Sequence, residues 1–233
     1  MIPIFIITKD RITCLKQCIE SYKKLGDIEI ILVDNGSTYP EMVEFLRSKE
    51  YKVISNPNPT GEFQDISEWV SSAIYQWYKE NDSEYYIVTD PDIEIENPSP
   101  KLLEYYIKLL NAFPKVTVVA PMLRIDDIPE SFRLKTDMVK SHNKQFWHKP
   151  YFEFDGIKCT PSAVDTTFGM YRKSFVFRRL NHGIRVHEPF MAKHLDWYID
   201  LDNPSEEQEY YWSHASNVST LKTHVIDGKP IGW

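Results

Sequence analysis

IFIITKDRITCLKQCIESYKKLGDIEIILVDNGSTYPEMVEFL, residues 4–46, decides the fold. Ile4 to Thr8 is an unbroken β-branched and aromatic run, the pattern of a buried strand. Ile12, Leu15, Ile19 and Tyr22 then recur at helical spacing, and Gly26 follows as a stop. Glu29 to Val33 repeats the strand pattern and ends on Asp34-Asn35-Gly36-Ser37. Pro40 opens a second helix whose apolar face is Met42, Val43, Phe45 and Leu46. Strand, helix, strand, helix at these lengths predict an α/β fold: a mostly parallel sheet with helices on both faces.

The same beat continues to about residue 120. Lys52–Ser55 reads as a third strand, followed by the loop Asn56-Pro57-Asn58-Pro59-Thr60-Gly61. Residues 62–80 form a longer helix with Ile66, Trp69, Val70, Ala73, Ile74 and Trp77 facing inward. Tyr85–Thr89 is a fourth strand, Pro98–Phe113 a helix and Lys115–Ala120 a fifth strand. The second half is less regular. Residues 124–150 interleave Arg133, Lys135, Lys140, Lys144 and Lys149 with Phe132, Phe146 and Trp147. That segment is a solvated surface loop, a flap over an anionic substrate, or a patch touching a membrane face. Residues 164–171 read as a strand returning to the core, and 205–214 as a polar helix.

Bulk properties exclude several classes. A chain of 233 residues suits one domain, 1–233, with a regular half at 1–122 and an irregular half at 123–233. The net charge of −7 argues against coating nucleic acid. Cys14, Cys18 and Cys159 are too few, and odd in number, for a disulfide framework, and read as small core residues. The apolar start Ile2–Ile7 lacks a basic flank and a cleavage site and is far shorter than a membrane span. The expectation is a soluble, cytoplasmic protein. Its oligomeric state is open.

In an open parallel sheet, ligands bind beyond the carboxyl ends of the strands. Three polar clusters sit at those ends: Thr8-Lys9-Asp10-Arg11, Asp34-Asn35-Gly36-Ser37 and Asp90-Pro91-Asp92. Asp-Pro-Asp is good turn chemistry. It also suits a hard cation, because carboxylate oxygens are what Mg²⁺ and Mn²⁺ take. Alternation puts Asp90 and Asp92 on one side of an extended chain, and Pro91 stiffens the pair. Asp34 can bind a ribose hydroxyl or a base edge, while Lys9 and Arg11 can offer charge to phosphates. No G-x-G-x-x-G follows the first strand and no P-loop is present, so the phosphates would lean on the metal.

These three blocks, in this order, resemble the nucleotide-binding half of GT-A-fold glycosyltransferases, and the strand followed by VDNGST is similar to family 2. The resemblance implies transfer of a hexose-type sugar from a nucleotide-sugar donor to a glycan or glycolipid acceptor, as in polysaccharide biosynthesis. It also implies a nucleotide-sugar-binding half at 1–122, an acceptor-binding half at 123–233, a Mn²⁺ or Mg²⁺ cofactor and peripheral membrane contact. Thr8, Lys9 and Arg11 would line the nucleotide pocket, with Asp34 near the base. Asp90 would reach ribose and metal, and Asp92 would bind the metal directly. Gly61, Gln64 and Asp65 fall where such proteins contact the nucleotide. The tail resembles a His…Gly…Lys-Pro…Trp ending in which His224 is a third metal ligand and Lys229 holds phosphate. Asp165, in a block resembling the acceptor-side strand, is the candidate catalytic base; Glu188, Asp196, Glu206 and Glu207 are rivals. His187 and His194 could face the acceptor, and Trp147, Trp197 and Trp212 could stack on sugar rings. Two other functions fit some of these residues: a sugar nucleotidyltransferase, and a catalytically inactive nucleotide-sugar-binding module.

Overall fold

A computed structural model describes residues 1–57, 59 and 66–214, and the backbone of two short strands, Val225–Ile226 and Lys229–Pro230. Its first strands are β1 (Ile2–Thr8), β2 (Ile28–Asp34), β3 (Lys52–Ser55) and β4 (Tyr85–Thr89). They alternate with α1 (Ile12–Tyr22), α2 (Pro40–Arg47) and α3 (Ile66–Tyr78). Every one of these elements lies where the periodicity predicts it. A three-residue strand that the sequence did not announce, β5 (Ile93–Ile95), precedes α4 (Pro100–Ala112) and β6 (Val118–Pro121). The second half adds β7 (Phe152–Phe154), β8 (Ile157–Val164), β9 (Gly169–Arg172), β10 (Asn181–Val186) and β11 (Ala192–His194). Two further helices are α5 (Lys135–His142) and α6 (Glu206–His214).

Nine strands form one sheet in the order β3-β2-β1-β4-β9-β6-β10-β8-β7. The strands β3, β2, β1 and β4 are mutually parallel, and β9 runs against both β4 and β6. β10 is parallel to β6, β8 opposes it, and β7 opposes β8. Only β8 and β9 therefore run against the rest, and both halves of the chain contribute to the same sheet. Close packing at one crossing demands glycine. A Cβ on Gly183 of β10 would meet the Val118 carbonyl oxygen of β6 at 2.3 Å.

The apolar runs are continuous because both faces of the sheet are covered. Ile4, Ile6, Leu32 and Ile87 pack on one side with Leu15, Ile19 and Tyr22 of α1 and Leu102, Tyr106 and Leu109 of α4. Phe5, Ile31, Val33 and Val88 pack on the other with Val70, Ala73, Ile74 and Trp77 of α3. Cys18 and Cys159 are buried and all three cysteines are free, as expected of core residues.

Two segments differ from their sequence reading. The strand expected over 164–171 is broken: Asp165 to Phe168 turn between β8 and β9, and Phe168 has a φ of 54°. The basic segment after residue 124 is not a plain loop. Ile125, Ile128, Phe132 and Leu134 are buried, and α5 then runs into a π-helical turn, Asn143–Trp147. The helix fully buries no residue of its own; Met138 and Val139 pack partly against the core, and an aromatic set seats its end: His142 edge-on to Trp197 at 4.5 Å, and Trp147 edge-on to His187 at 5.2 Å.

Candidate active site

Strand register builds the rim. Thr8 of β1 lies opposite Asp34 of β2, and Thr89 of β4 lies opposite Ile6. Three adjacent parallel strands thus release their chains at one edge of the sheet, and the predicted polar clusters meet there.

Asp10 ties two of the connecting loops together. It is 1% exposed, with a φ of 51°, and its Oδ1 accepts hydrogen bonds from the backbone N–H of Thr38 and, at 2.7 Å, of Tyr39. Its own N–H donates to Ser37 Oγ at 3.1 Å. Thr38 and Tyr39 lie just ahead of Pro40, the first residue of α2, so Asp10 pins from another loop the stretch that leads into the helix. Asp34 is turned inward by Ser37, whose N–H and Oγ–H both donate to Asp34 Oδ1 at 3.1 and 2.6 Å. Gly36 has a φ of 78°, and a Cβ there would lie 2.4 Å from Pro59 Cβ; only glycine lets the two loops approach this closely. Thr8 Oγ1 is buried with no hydrogen-bond partner, and Lys9 makes no ion pair among the described residues.

The Asp-Pro-Asp turn sits beside these loops. Asp90 accepts from Thr166 Oγ1 and donates its N–H to the Thr166 carbonyl at 2.8 Å. Burial, and then the neighbouring Asp92 charge, push its carboxyl up to about 8. Asp92 is 2% exposed. Burial opposes its ionisation, but His194 and Arg11 outweigh burial and hold the carboxyl below the usual range.

His194 reaches Asp92 through the two short strands. β11 pairs antiparallel with β5 so that His194 faces Ile93, and the Leu195 N–H donates to the Asp92 carbonyl at 2.8 Å. His194 Nδ1 lies 3.5 Å from Asp92 Oδ2, and its ring stacks on Trp197 at 4.8 Å and 7°. Two residues on, Asp196 turns into the same space. One oxygen each of Asp92 and Asp196 and one nitrogen of His194 lie within 4.8 Å of one another, the sole such group among the described residues. Arg11 bridges the two carboxylates, donating to Asp92 Oδ2 at 2.9 Å and to Asp196 Oδ1. Burial raises the Asp196 carboxyl, and Arg11 works against that rise.

The cluster fits a divalent metal. Asp92 Oδ1 and His194 Nδ1 are buried with no hydrogen-bond partner, an arrangement that costs free energy unless something binds there. Two carboxylates and an imidazole are a chemically apt donor set.

α6 packs against the loops that follow β1 and β2. Glu207 accepts from the Thr13 N–H at 3.1 and 3.2 Å at the start of α1, Tyr210 donates to Thr38 Oγ1 at 3.1 Å, and the Tyr211 ring lies 5.0 Å from the Arg11 guanidinium. Glu207 is thus a capping residue.

The remaining expected residues are distributed as follows. Asp165 forms a bidentate ion pair with Arg179, both bonds 2.7 Å, close enough to Asp90 to raise its carboxyl further. Glu188 pairs with Arg124. His187 bonds Thr160 Oγ1 at 2.8 Å, away from the acidic cluster. Trp212 and Trp197 are buried, and Trp147 is half-buried with its Nε1 donating to the Leu123 carbonyl. Gly61, Gln64, Asp65 and His224, and the side chain of Lys229, lie outside the described residues. What sequence reasoning missed is that His194 and Asp196 converge on Asp92. The available signal was His194-Leu195-Asp196, a ligand-type pair at alternate positions, but β5 and β11 were too short to be read as the hairpin-like pair that brings it home.

The description Glycosyl transferase family 2 matches residues 4–180. The chain belongs to this family of glycosyltransferases. No curated protein matches it. Among solved structures, it is similar to a mycobacterial protein at 14% identity, covering 80% of this chain and 65% of that one, with a TM-score of 0.46. It is similar to Staphylococcus aureus TarS residues 1–349 at 12% identity, covering 95% and 76%, with a TM-score of 0.46. It is also similar to glucosyl-3-phosphoglycerate synthase from Mycobacterium tuberculosis, solved with Mn²⁺ and uridine-diphosphate-glucose, at 15% identity, covering 61% and 51%, with a TM-score of 0.39. The chain thus spans 65% of the first of these proteins and about half of the third. No helix among the described residues is long and apolar enough to cross a membrane.

Proposed function

We propose that this family 2 chain transfers a hexose-type sugar from a nucleotide-sugar to a glycan or glycolipid acceptor and needs a divalent cation to do so. The observation that carries the metal requirement is the pair of buried ligand atoms without a hydrogen-bond partner, Asp92 Oδ1 and His194 Nδ1, beside Asp196. Asp92, His194 and Asp196 would hold the ion; an imidazole among the donors favours Mn²⁺ over Mg²⁺. When bound, the ion supplies positive charge against the diphosphate leaving group.

The chain's own groups divide the rest of the work. The nucleotide would lie along the loops after β1 and β2, where the Thr8 hydroxyl and the outer oxygen of Asp34 are free to bind it. Asp90 would take a ribose hydroxyl, and Lys9 and Arg11 the phosphates. Asp165 remains our candidate for the base that takes the acceptor's proton. Its fork with Arg179 fixes its orientation, and each oxygen keeps a second lone pair for the acceptor hydroxyl. The acceptor would approach over residues 123–214, under the α5 segment, where Trp147 is half-buried. Residues 1–122 would then be the donor half of a single domain.

The test is a thermal-shift panel of nucleotide-sugars with and without Mn²⁺. A cognate donor should raise the melting temperature by mass action, and more with Mn²⁺ than without. A donor that binds equally well with and without metal, and that turns over in excess chelator, would remove metal dependence from the reading.

A further inference from the structure

The acidic cluster already contains a cation. Arg11 pairs with Asp92 and Asp196, and the three side chains are 14%, 3% and 12% exposed. Those carboxylates belong to the group that, with His194, brings three ligand atoms within 4.8 Å. Yet the guanidinium does not complete the set. Asp92 Oδ1 and His194 Nδ1 stay without a hydrogen-bond partner, and an imidazole nitrogen that can serve as a ligand gains nothing from a neighbouring donor cation. Arginine cannot shed its proton, so its charge leaves this space only if the side chain moves. A divalent ion on the same atoms would sit within a few ångströms of that charge, where solvent screens poorly.

Arg11 can leave without disturbing its backbone. Its backbone is fixed at the start of α1, where the Leu15 N–H donates to the Arg11 carbonyl at 3.3 Å. The guanidinium, by contrast, is at the end of a long side chain that rests on the Tyr211 ring.

We propose that Arg11 is the resident counter-ion of this site in the free protein, and that a divalent metal binds only by displacing it. The proposal rests on the metal reading above. In the free chain the guanidinium offsets part of the charge of two buried carboxylates, beside His194; once displaced, it is available to an incoming phosphate. Metal binding by the chain alone is therefore weak, and it strengthens when the positive charge at residue 11 is removed.

The test is titration of the full chain with Mn²⁺ alone by calorimetry, in wild type, Arg11→Met and Arg11→Lys, each with and without Asp92→Asn. Removing the charge should tighten Mn²⁺ binding by about tenfold or more, because a nearby like charge is lost from a poorly screened site. Arg11→Lys keeps the charge and should stay close to wild type. Arg11→Gln, which keeps a donor for Asp92, replaces Arg11→Met if that variant does not fold. If the neutral variant binds Mn²⁺ no more tightly than wild type while Asp92→Asn abolishes binding, the role given to Arg11 is wrong and the metal site stands. If Arg11→Lys gains as much as Arg11→Met, loosening rather than charge explains the gain and the proposal fails. If Asp92→Asn leaves Mn²⁺ binding unchanged, the metal reading falls and this inference falls with it.

Discussion

Asp10 offers the most direct check on how the rim is held. Its carboxylate is essentially excluded from water and accepts from two backbone N–H groups, those of Thr38 and Tyr39. Hydrogen bonds to a charged acceptor contribute about 1.5–3 kcal/mol each, and an abandoned buried donor keeps most of that penalty. Two of them give about 3–6 kcal/mol. An alanine at a φ of 51° adds about 1 kcal/mol of backbone strain. Asp10→Ala should therefore cost about 4–7 kcal/mol of folding stability. Asp10→Asn keeps one acceptor and tolerates the left-handed backbone, so it should lose about 1–2 kcal/mol. Asp10→Gly loses the acceptor but not the backbone fit, and should be about 1 kcal/mol milder than Ala. The order of stability is thus Asp, Asn, Gly, Ala, read from urea midpoints at constant m-value. An Ala variant within about 1 kcal/mol of wild type, against the cost of two buried donors, or a Gly variant less stable than Ala, would refute the reasoning.

Three further outcomes follow from the same geometry. Asp92→Ala should abolish sugar transfer while leaving the circular dichroism spectrum unchanged; normal turnover in this variant would sink the assignment of Asp92 to the active site. Burial, and then Lys158, hold His187 down at about 4, below the ordinary 6.5 of an unfolded histidine, so between these values only the unfolded chain takes up the proton. Stability is then complete above about pH 6.5 and falls as pH drops toward 4, by about 1–2 kcal/mol from this residue after solvent screening; denaturant melts of wild type and His187→Gln should show that slope in the first and a flatter one in the second. Gly183→Ala should destabilise by about 2–3 kcal/mol through overpacking against Val118, and a melting temperature equal to wild type would show that β10 and β6 can separate at no cost.

The regular half was legible because its signals are long and local. Ile4–Ile7 and Ile30–Val33 are apolar throughout since both faces of the sheet are covered, and Pro40 and Gly26 punctuate the helices. Asp90 and Asp92 could be placed at a strand end for the same reason. The companions of Asp92 could not. They arrive through pairing between strands of three residues each, separated by about a hundred positions, and no periodicity develops over such a length. Asp10 was hidden differently: it reads as one polar residue in a loop, and its task, pinning the approach to α2 from another loop, is a tertiary fact. Residues 124–150 misled because their charge suggests solvent exposure, whereas Phe132 and Leu134 anchor the segment from beneath.

The position of β9 bears on how the chain can be made. It lies between β4 and β6 and pairs with both, yet it follows them by about fifty residues or more in the chain. During synthesis, a chain that has emerged through Pro121 carries two strands that wait for a third. Each presents a bare edge in the interval, and bare edges recruit other chains. The acidic cluster is completed later still, when Asp196 emerges. Truncations ending between residues 121 and 169 leave the place of β9 empty and should therefore aggregate.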